Sequence, residues 1–394
     1  MNQVRREPIA IAYLPWADLR EEFAIGPVMF WPFYAKMEEK IPDAEVRADL
    51  RRFFETFVDN AGKPVTTMAA CSYGPVDFRK FTPEEGQTIS DAVDCLTFAA
   101  IATGTKNGVC ADNYSMAPPS ADRFDLAARW VWPAHDGLVV KTENSTQFWS
   151  HGEYKITRPI SVGGSFSGNY APLLEGLGRV FAAEFPRDMR ERLFRAFEWF
   201  RFAHTQSTAV SWLHKVVMMA TAYEILLDFP ESGKRRYFID QVDSKLRLRD
   251  SYMVGMRDGG GGTFSVCKAA EWAGQFYKLR NDITHGDEVT CERLQYKNWV
   301  GQLIVADLVM LEVVKRLLYE HHCIGDKVRG LAAQYAQGSS DPVEEFEAVL
   351  LPGSMGLDVE DVHEALGWIP PLQERMEEKE QQLKTEPDCE AGQG

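Results

Sequence analysis

Trp212, Val216, Met219, Ala220, Tyr223 and Leu227 recur at intervals of one to four residues along one line of an α-helical net. Residues three and four apart share one face of an α-helix, so this stripe constrains the stretch to a helix buried against others. Upstream, from about Arg187, Leu193, Phe197, Trp199 and Phe200 crowd a second helix. Gly259-Gly260-Gly261-Gly262 breaks the chain, after which Ala269–Leu279 and Leu294–Tyr319 predict two more helices. Four helices with short connections predict an up-and-down bundle.

The first 175 residues have a different grain. Short apolar runs separated by turn residues predict strands at Pro8–Tyr13, Val65–Cys71, Arg129–Trp132, Gly137–Thr142 and Glu153–Thr157. Helices are expected at Glu38–Asp59, started by Asp43 or Pro42, and at Thr88–Thr103. No internal repeat and no parallel βαβ rhythm is visible. The many aromatic residues here read as core. Small residues without periodicity from Ser161 to Pro172 mark the connection between the halves. The stretch lacks the Lys-Ser/Thr ending of a phosphate-binding loop. The fold class is therefore α+β, divided into a mixed α/β region (1–175), a helical bundle (176–338) and an acidic tail (339–394) expected to be partly disordered.

Charge follows the same division. Of the net −15, about −12 falls between Asp341 and Gly394, which hold 15 acidic and 3 basic residues. Arg187 to Arg257 carries 13 basic and 9 acidic residues, so the helical region is mildly basic. No apolar run reaches the roughly 18 residues that cross a bilayer, and the N-terminus has no signal-peptide pattern. The seven cysteines are scattered, with no Cys-x-x-Cys. That pattern argues for a reducing, cytoplasmic setting and against a disulfide frame or structural zinc.

One decapeptide carries chemistry: Tyr277-Lys278-Leu279-Arg280-Asn281-Asp282-Ile283-Thr284-His285-Gly286. A permanently charged guanidinium and a titrating imidazole suit phosphodiester chemistry. On a continuous helix, five residues turn the two side chains by about 500°, so they point apart. They converge only if the helix ends inside the motif. Asn281, Asp282 and Thr284 compete for backbone hydrogen bonds and Gly286 accepts a left-handed cap, so such an ending is expected.

The segment resembles the Arg-x4-His signature of HEPN domains, and its wording is most similar to the Apea-like HEPN family. Ala222-Tyr223-Glu224-Ile225-Leu226-Leu227 resembles that family's apolar helix with one acid, and Ala196-Phe197-Glu198-Trp199-Phe200 its opening aromatic helix. The likeness spans roughly residues 185–335. It implies a metal-independent, cofactor-free endoribonuclease working as a homodimer or higher oligomer, in antiviral defence or toxin-like growth arrest, with tRNA among the possible substrates. It also implies a trigger or antitoxin protein as partner, and no membrane. The N-terminal region would sense that trigger or select substrate.

On this resemblance Arg280 stabilises charge on the phosphate, His285 moves the proton, and Asn281 orients one or the other. Glu224, an acid on an apolar helix, needs a partner; it either fixes Arg280, tunes His285 or forms an ordinary surface pair. Lys278 is a candidate phosphate contact or a solvated lysine, and Asp282 a supporting residue. His204 and His214 read as core or surface, and His321-His322-Cys323 lacks metal-ligand spacing. The rival function is a non-catalytic dimeric HEPN module that binds a nucleotide, RNA or partner protein. Many nuclease members carry a Tyr where this chain has Asp287, which favours the rival.

Overall fold

The alternation in Ile9-Ala-Ile-Ala-Tyr-Leu14 sets up the N-terminal half, because successive strand residues face opposite sides of a sheet. The structure, a computed structural model, describes residues 9–74, 81–110, 120–134, 137–141, 146–150, 155–157, 171–207, 209–247, 253–257, 263–296 and 300–324. It opens with β1 (Ile9–Leu14), β2 (Phe23–Ile25), β3 (Val28–Pro32), α1 (Phe33–Lys40), α2 (Ala44–Phe54), β4 (Phe57–Val58) and β5 (Ala69–Tyr73). The long α3 (Pro83–Cys110) follows, then β6 (Ala127–Ala134), β7 (Gly137–Lys141), β8 (Thr146–Ser150) and β9 (Ile156–Thr157). The second half contains α4 (Ala171–Arg179), α5 (Arg187–Ala203), α6 (Trp212–Leu226) and α7 (Lys234–Leu246). A hairpin of β10 (Met253–Arg257) and β11 (Thr263–Cys267) leads into α8 (Lys268–His285). The short pair β12 (Gln295–Tyr296) and β13 (Val300–Gly301) then precedes α9 (Gln302–Glu320).

The class is α+β, as the sequence predicts. Seven strands form one antiparallel sheet in the order β2-β3-β5-β1-β6-β7-β8. Ile11 and Tyr13 face a compact aromatic cluster with Phe33, Phe53, Phe54 and Phe57 from around α1 and α2. Ala12 and Leu14 face the other way, into a larger core shared with α3 and the second half. The sheet is thus covered on both faces at β1, β3 and β5.

Several boundaries move. The expected helix Glu38–Asp59 is two helices, and Asp43 caps the second by accepting from the Glu45 and Val46 N–H groups. The helix expected at Thr88–Thr103 begins at Pro83, because Thr82 and Glu85 form a reciprocal capping box. The apolar helix expected from Leu294 begins at Gln302, after the β12–β13 pair. Strands β2, β3, β4 and β8 in the first half, and β10 to β13 in the second, lie outside the five runs read from sequence; β4 falls within the expected helix Glu38–Asp59. Most of the 161–172 connection, all of 339–394 and the tetraglycine lie outside the described residues.

Helix α3 joins the halves. It packs on α5 and α9, and Phe98 stacks on Phe197 with centroids 4.3 Å apart. The buried core therefore runs without a break from the sheet to α9. Nearly every residue of α9 is buried, including Asp307, which accepts from Thr105 and meets His204 at 2.8 Å. His204 is a buried core residue, and His214 helps cap α6 through Ser211.

The α3–α5 contact predicts a pH response. Burial pushes Asp91 up to about 6 from an ordinary 3.8, and Glu198 adds to the rise. A carboxyl whose native pKa exceeds its unfolded value stabilises the native state while protonated; that contribution is full below about 4 and lost as pH rises through 6. Asp91→Asn is accordingly expected to raise the urea midpoint at pH 7 and to give no gain at pH 4.

Candidate active site

The helix does not end between Arg280 and His285, although Gly286 caps it as expected. α8 runs without interruption from Lys268 to His285, and Gly286 closes it in the left-handed region at φ 80°. The expected unwinding fails because each polar side chain finds a partner that leaves the backbone ladder intact. Asn281 accepts from Arg280, Thr284 donates to the Asn281 carbonyl one turn back, and Asp282 pairs with Arg293. The Asp287 N–H then donates to the Asp282 carbonyl and the Gly286 N–H to that of Ile283, completing a Schellman ending. Gly286→Ala forces a side chain into this left-handed position and is expected to cost about 1 kcal/mol. Urea unfolding of the variant checks the figure.

Continuity of α8 separates the residues singled out in sequence into two groups. Arg280 turns towards α6, where its Nη2 lies 3.1 Å from Glu224 Oε1. The Tyr277 hydroxyl donates to the same oxygen at 2.8 Å, and Lys234 Nζ approaches Oε2 at 2.6 Å. Glu224 therefore has three partners, hydrogen bonds from Tyr277 and Lys234 and an ion pair with Arg280, at a side chain only 15% exposed. Burial, and the carboxylate it donates to, raise the Tyr277 phenol above its usual range, so it stays a donor. Arg280 Nη1 donates to Asn281 Oδ1 at 3.2 Å, while its buried Nε–H has no partner among the described residues. Glu224 thus takes the role of fixing Arg280, and Asn281 stands beside it.

Lys278, Asp282 and His285 belong to the other group. On a continuous helix they fall within about 60° of one another and roughly opposite Arg280. Lys278 and His285 are exposed. Asp282 is held below the usual carboxylate range, first by its hydrogen bond from Arg293, with smaller contributions from Lys278 and His285. Asp282 thereby tethers the turn after α8 rather than the guanidinium. Within one chain His285 does not meet Arg280; the expected convergence is corrected by the unbroken helix.

Arg280 and Asn281 open instead onto a cavity of about 670 Å³ between α7, α8 and the β10–β11 hairpin. Lys234, Arg235 and Arg236 line it from the start of α7; Ile239, Met256 and Phe264 supply an apolar wall. Two of its lining residues approach α8 closely at Gly274, where an added Cβ would lie 2.9 Å from Ile239 and 3.1 Å from Met256. Arg235 donates to the Gly274 carbonyl at 2.9 Å.

Lys234, Arg235, Arg236 and Tyr277 were not singled out as site residues from sequence. A signal was present. Three cations in the first turn of a helix oppose the positive end of its dipole, and such a conflict between local preference and position marks functional surfaces. Tyr277 lies within the decapeptide, but its bond to Glu224 spans 53 positions of sequence.

Comparison of the chain with protein-family models, with curated proteins and with solved structures found no match in any of the three. No described helix is long and apolar enough to cross a membrane.

Proposed function

We propose that this chain is a metal-independent endoribonuclease of HEPN type, acting as a dimer in the cytoplasm in antiviral defence or toxin-like growth arrest under the control of a trigger or antitoxin protein. One observation carries the reading: the Arg280 guanidinium is held by Glu224 at the edge of a cavity lined by three further cations. With Nη2 paired to Glu224 and one Nη1 hydrogen given to Asn281, each terminal nitrogen keeps at least one hydrogen for a phosphate oxygen. Such a fixed cation stabilises the charge that develops as the phosphorus is attacked.

His285 stands about 140° away around α8, so a phosphate on Arg280 meets an imidazole only if a second chain brings one. A twofold axis near the α8 ends supplies it and places two imidazoles in one cleft. One accepts the proton of the 2′-hydroxyl as its oxygen bonds to phosphorus. The other protonates the 5′-oxygen as the P–O5′ bond breaks. The products are a 2′,3′-cyclic phosphate and a free 5′-hydroxyl. Arg280 supplies the positive charge that Mg²⁺ provides in two-metal nucleases.

RNA incubated with purified protein in excess EDTA is expected to yield 2′,3′-cyclic phosphate ends, while DNA and RNA methylated at the 2′-oxygen resist. Cleavage of DNA, or activity recovered only with Mg²⁺, would replace this reading with a two-metal nuclease. A non-catalytic, RNA-binding dimer is the second reading. The separation of His285 from Arg280 within a chain favours it, and binding of intact RNA without cleavage would establish it.

A further inference from the structure

The cavity beside Arg280 holds more than a phosphate needs. Its cationic side carries Lys234, Arg235, Arg236 and Arg280, against which stand two carboxylates, Glu224 on Lys234 and Arg280, and Asp240 on Arg236. Arg235 spends its Nε–H on a backbone carbonyl. Positive charge therefore remains in excess. Three of these cations also sit in the first turn of α7, where the helix dipole adds to their mutual repulsion. An anion bound among them relieves both.

The rest of the lining is largely apolar and aromatic. Phe264 of β11 is half-buried, with Met256 of β10 and Ile239 of α7 also lining the space. Arg236 Cζ lies 3.6 Å from the centre of the Phe264 ring, a stacked guanidinium–aromatic pair. Guanidinium planes and aromatic rings are the platforms on which nucleic-acid bases stack. A bare phosphate uses none of this wall, and a volume of about 670 Å³ exceeds what it fills.

We propose that this cavity is a single-nucleotide seat. It holds the ribonucleotide next to the scissile phosphate, with the phosphate on the Lys234–Arg236 turn and Arg280, and the base on the Arg236–Phe264 platform. The seat selects the nucleotide at the cut site and positions its neighbour on Arg280. The choice of RNA as the occupant rests on the endoribonuclease reading; the phosphate-and-base chemistry of the pocket does not.

Titration calorimetry of the full chain with AMP, GMP, CMP, UMP and inorganic phosphate tests the seat. At least one nucleotide is expected to bind about tenfold or more tightly than phosphate, the margin a stacked base supplies. Phe264→Ala should erase that margin and leave phosphate affinity within about twofold, since the ring offers nothing to a phosphate. Arg236→Glu should weaken nucleotide and phosphate together. Where Phe264→Ala is poorly folded by circular dichroism, Phe264→Leu, which keeps the bulk and removes the ring, replaces it. If no nucleotide outcompetes phosphate, or if loss of the ring leaves the margin intact, the seat is overturned. RNA cleavage is followed on the same preparations. Cleavage without nucleotide binding sinks the seat alone, and nucleotide binding with RNA left intact sinks the endoribonuclease reading alone.

Discussion

Arg280→Ala and His285→Ala are each expected to reduce RNA cleavage by about 10²–10⁴-fold, and mixing the two inactive chains is expected to restore part of it. The losses follow from the roles assigned: one side chain holds developing charge and the other moves a proton. Restoration follows from the unbroken α8, which keeps the two side chains of one motif apart. In a randomly reassorted mixture about half the dimers contain one chain of each kind. Such a dimer keeps one guanidinium and one of the two imidazoles, on opposite chains, so it lacks either the acid or the base and recovery stops at about a hundredth of the wild-type rate. Chains are mixed under mild denaturant, returned to buffer and assayed. If the mixture cleaves no faster than the mean of the two variants assayed alone, the site is not assembled from two chains.

Removing the Glu224 carboxylate should disturb both stability and chemistry. Glu224→Ala leaves Arg280, Lys234 and the Tyr277 hydroxyl without their shared acceptor. Breaking a fully buried pair costs about 3–5 kcal/mol; with Arg280 24% and Lys234 34% exposed, about 2 kcal/mol is expected here. Glu224→Gln keeps the shape and one acceptor and should cost about half as much. Both variants release Arg280 from its fixed direction, so kcat should fall by about tenfold or more while the affinity for RNA changes little. Unchanged kcat in Glu224→Gln would show that the guanidinium needs no such anchor.

Much of the helical half was legible because burial there follows a simple period. Val216, Met219, Ala220, Tyr223 and Leu226 or Leu227 are buried on α6 where the stripe places them, although Trp212 at its start is exposed. Glu224 could be chosen because an acid next to such a stripe demands a partner, and its partner is Arg280. The end of α8 was misread because propensity favours breaking at Asn281, Asp282 and Thr284, whereas Arg293, eleven residues beyond Asp282, draws that carboxylate away from the backbone. Tertiary partners of this kind leave no local trace. The cavity was illegible for the same reason: α7, α8 and the hairpin meet only in space, at the bare surface of Gly274. The capping box at Thr82 and Glu85 was available in sequence and would have placed the start of α3 at Pro83.

The stacking of Phe98 on Phe197 has a consequence for how such a chain can be inherited or rebuilt. A helix bundle that folds alone is portable and can be fused behind many different sensors. This one borrows α3 from the preceding half to cover α5 and α9. A gene fragment beginning at residue 176 would lay bare the apolar faces of both helices and invite aggregation. Any recombination that gave the helical half a new N-terminal companion would therefore have to carry α3 with it, or supply another helix of matching relief.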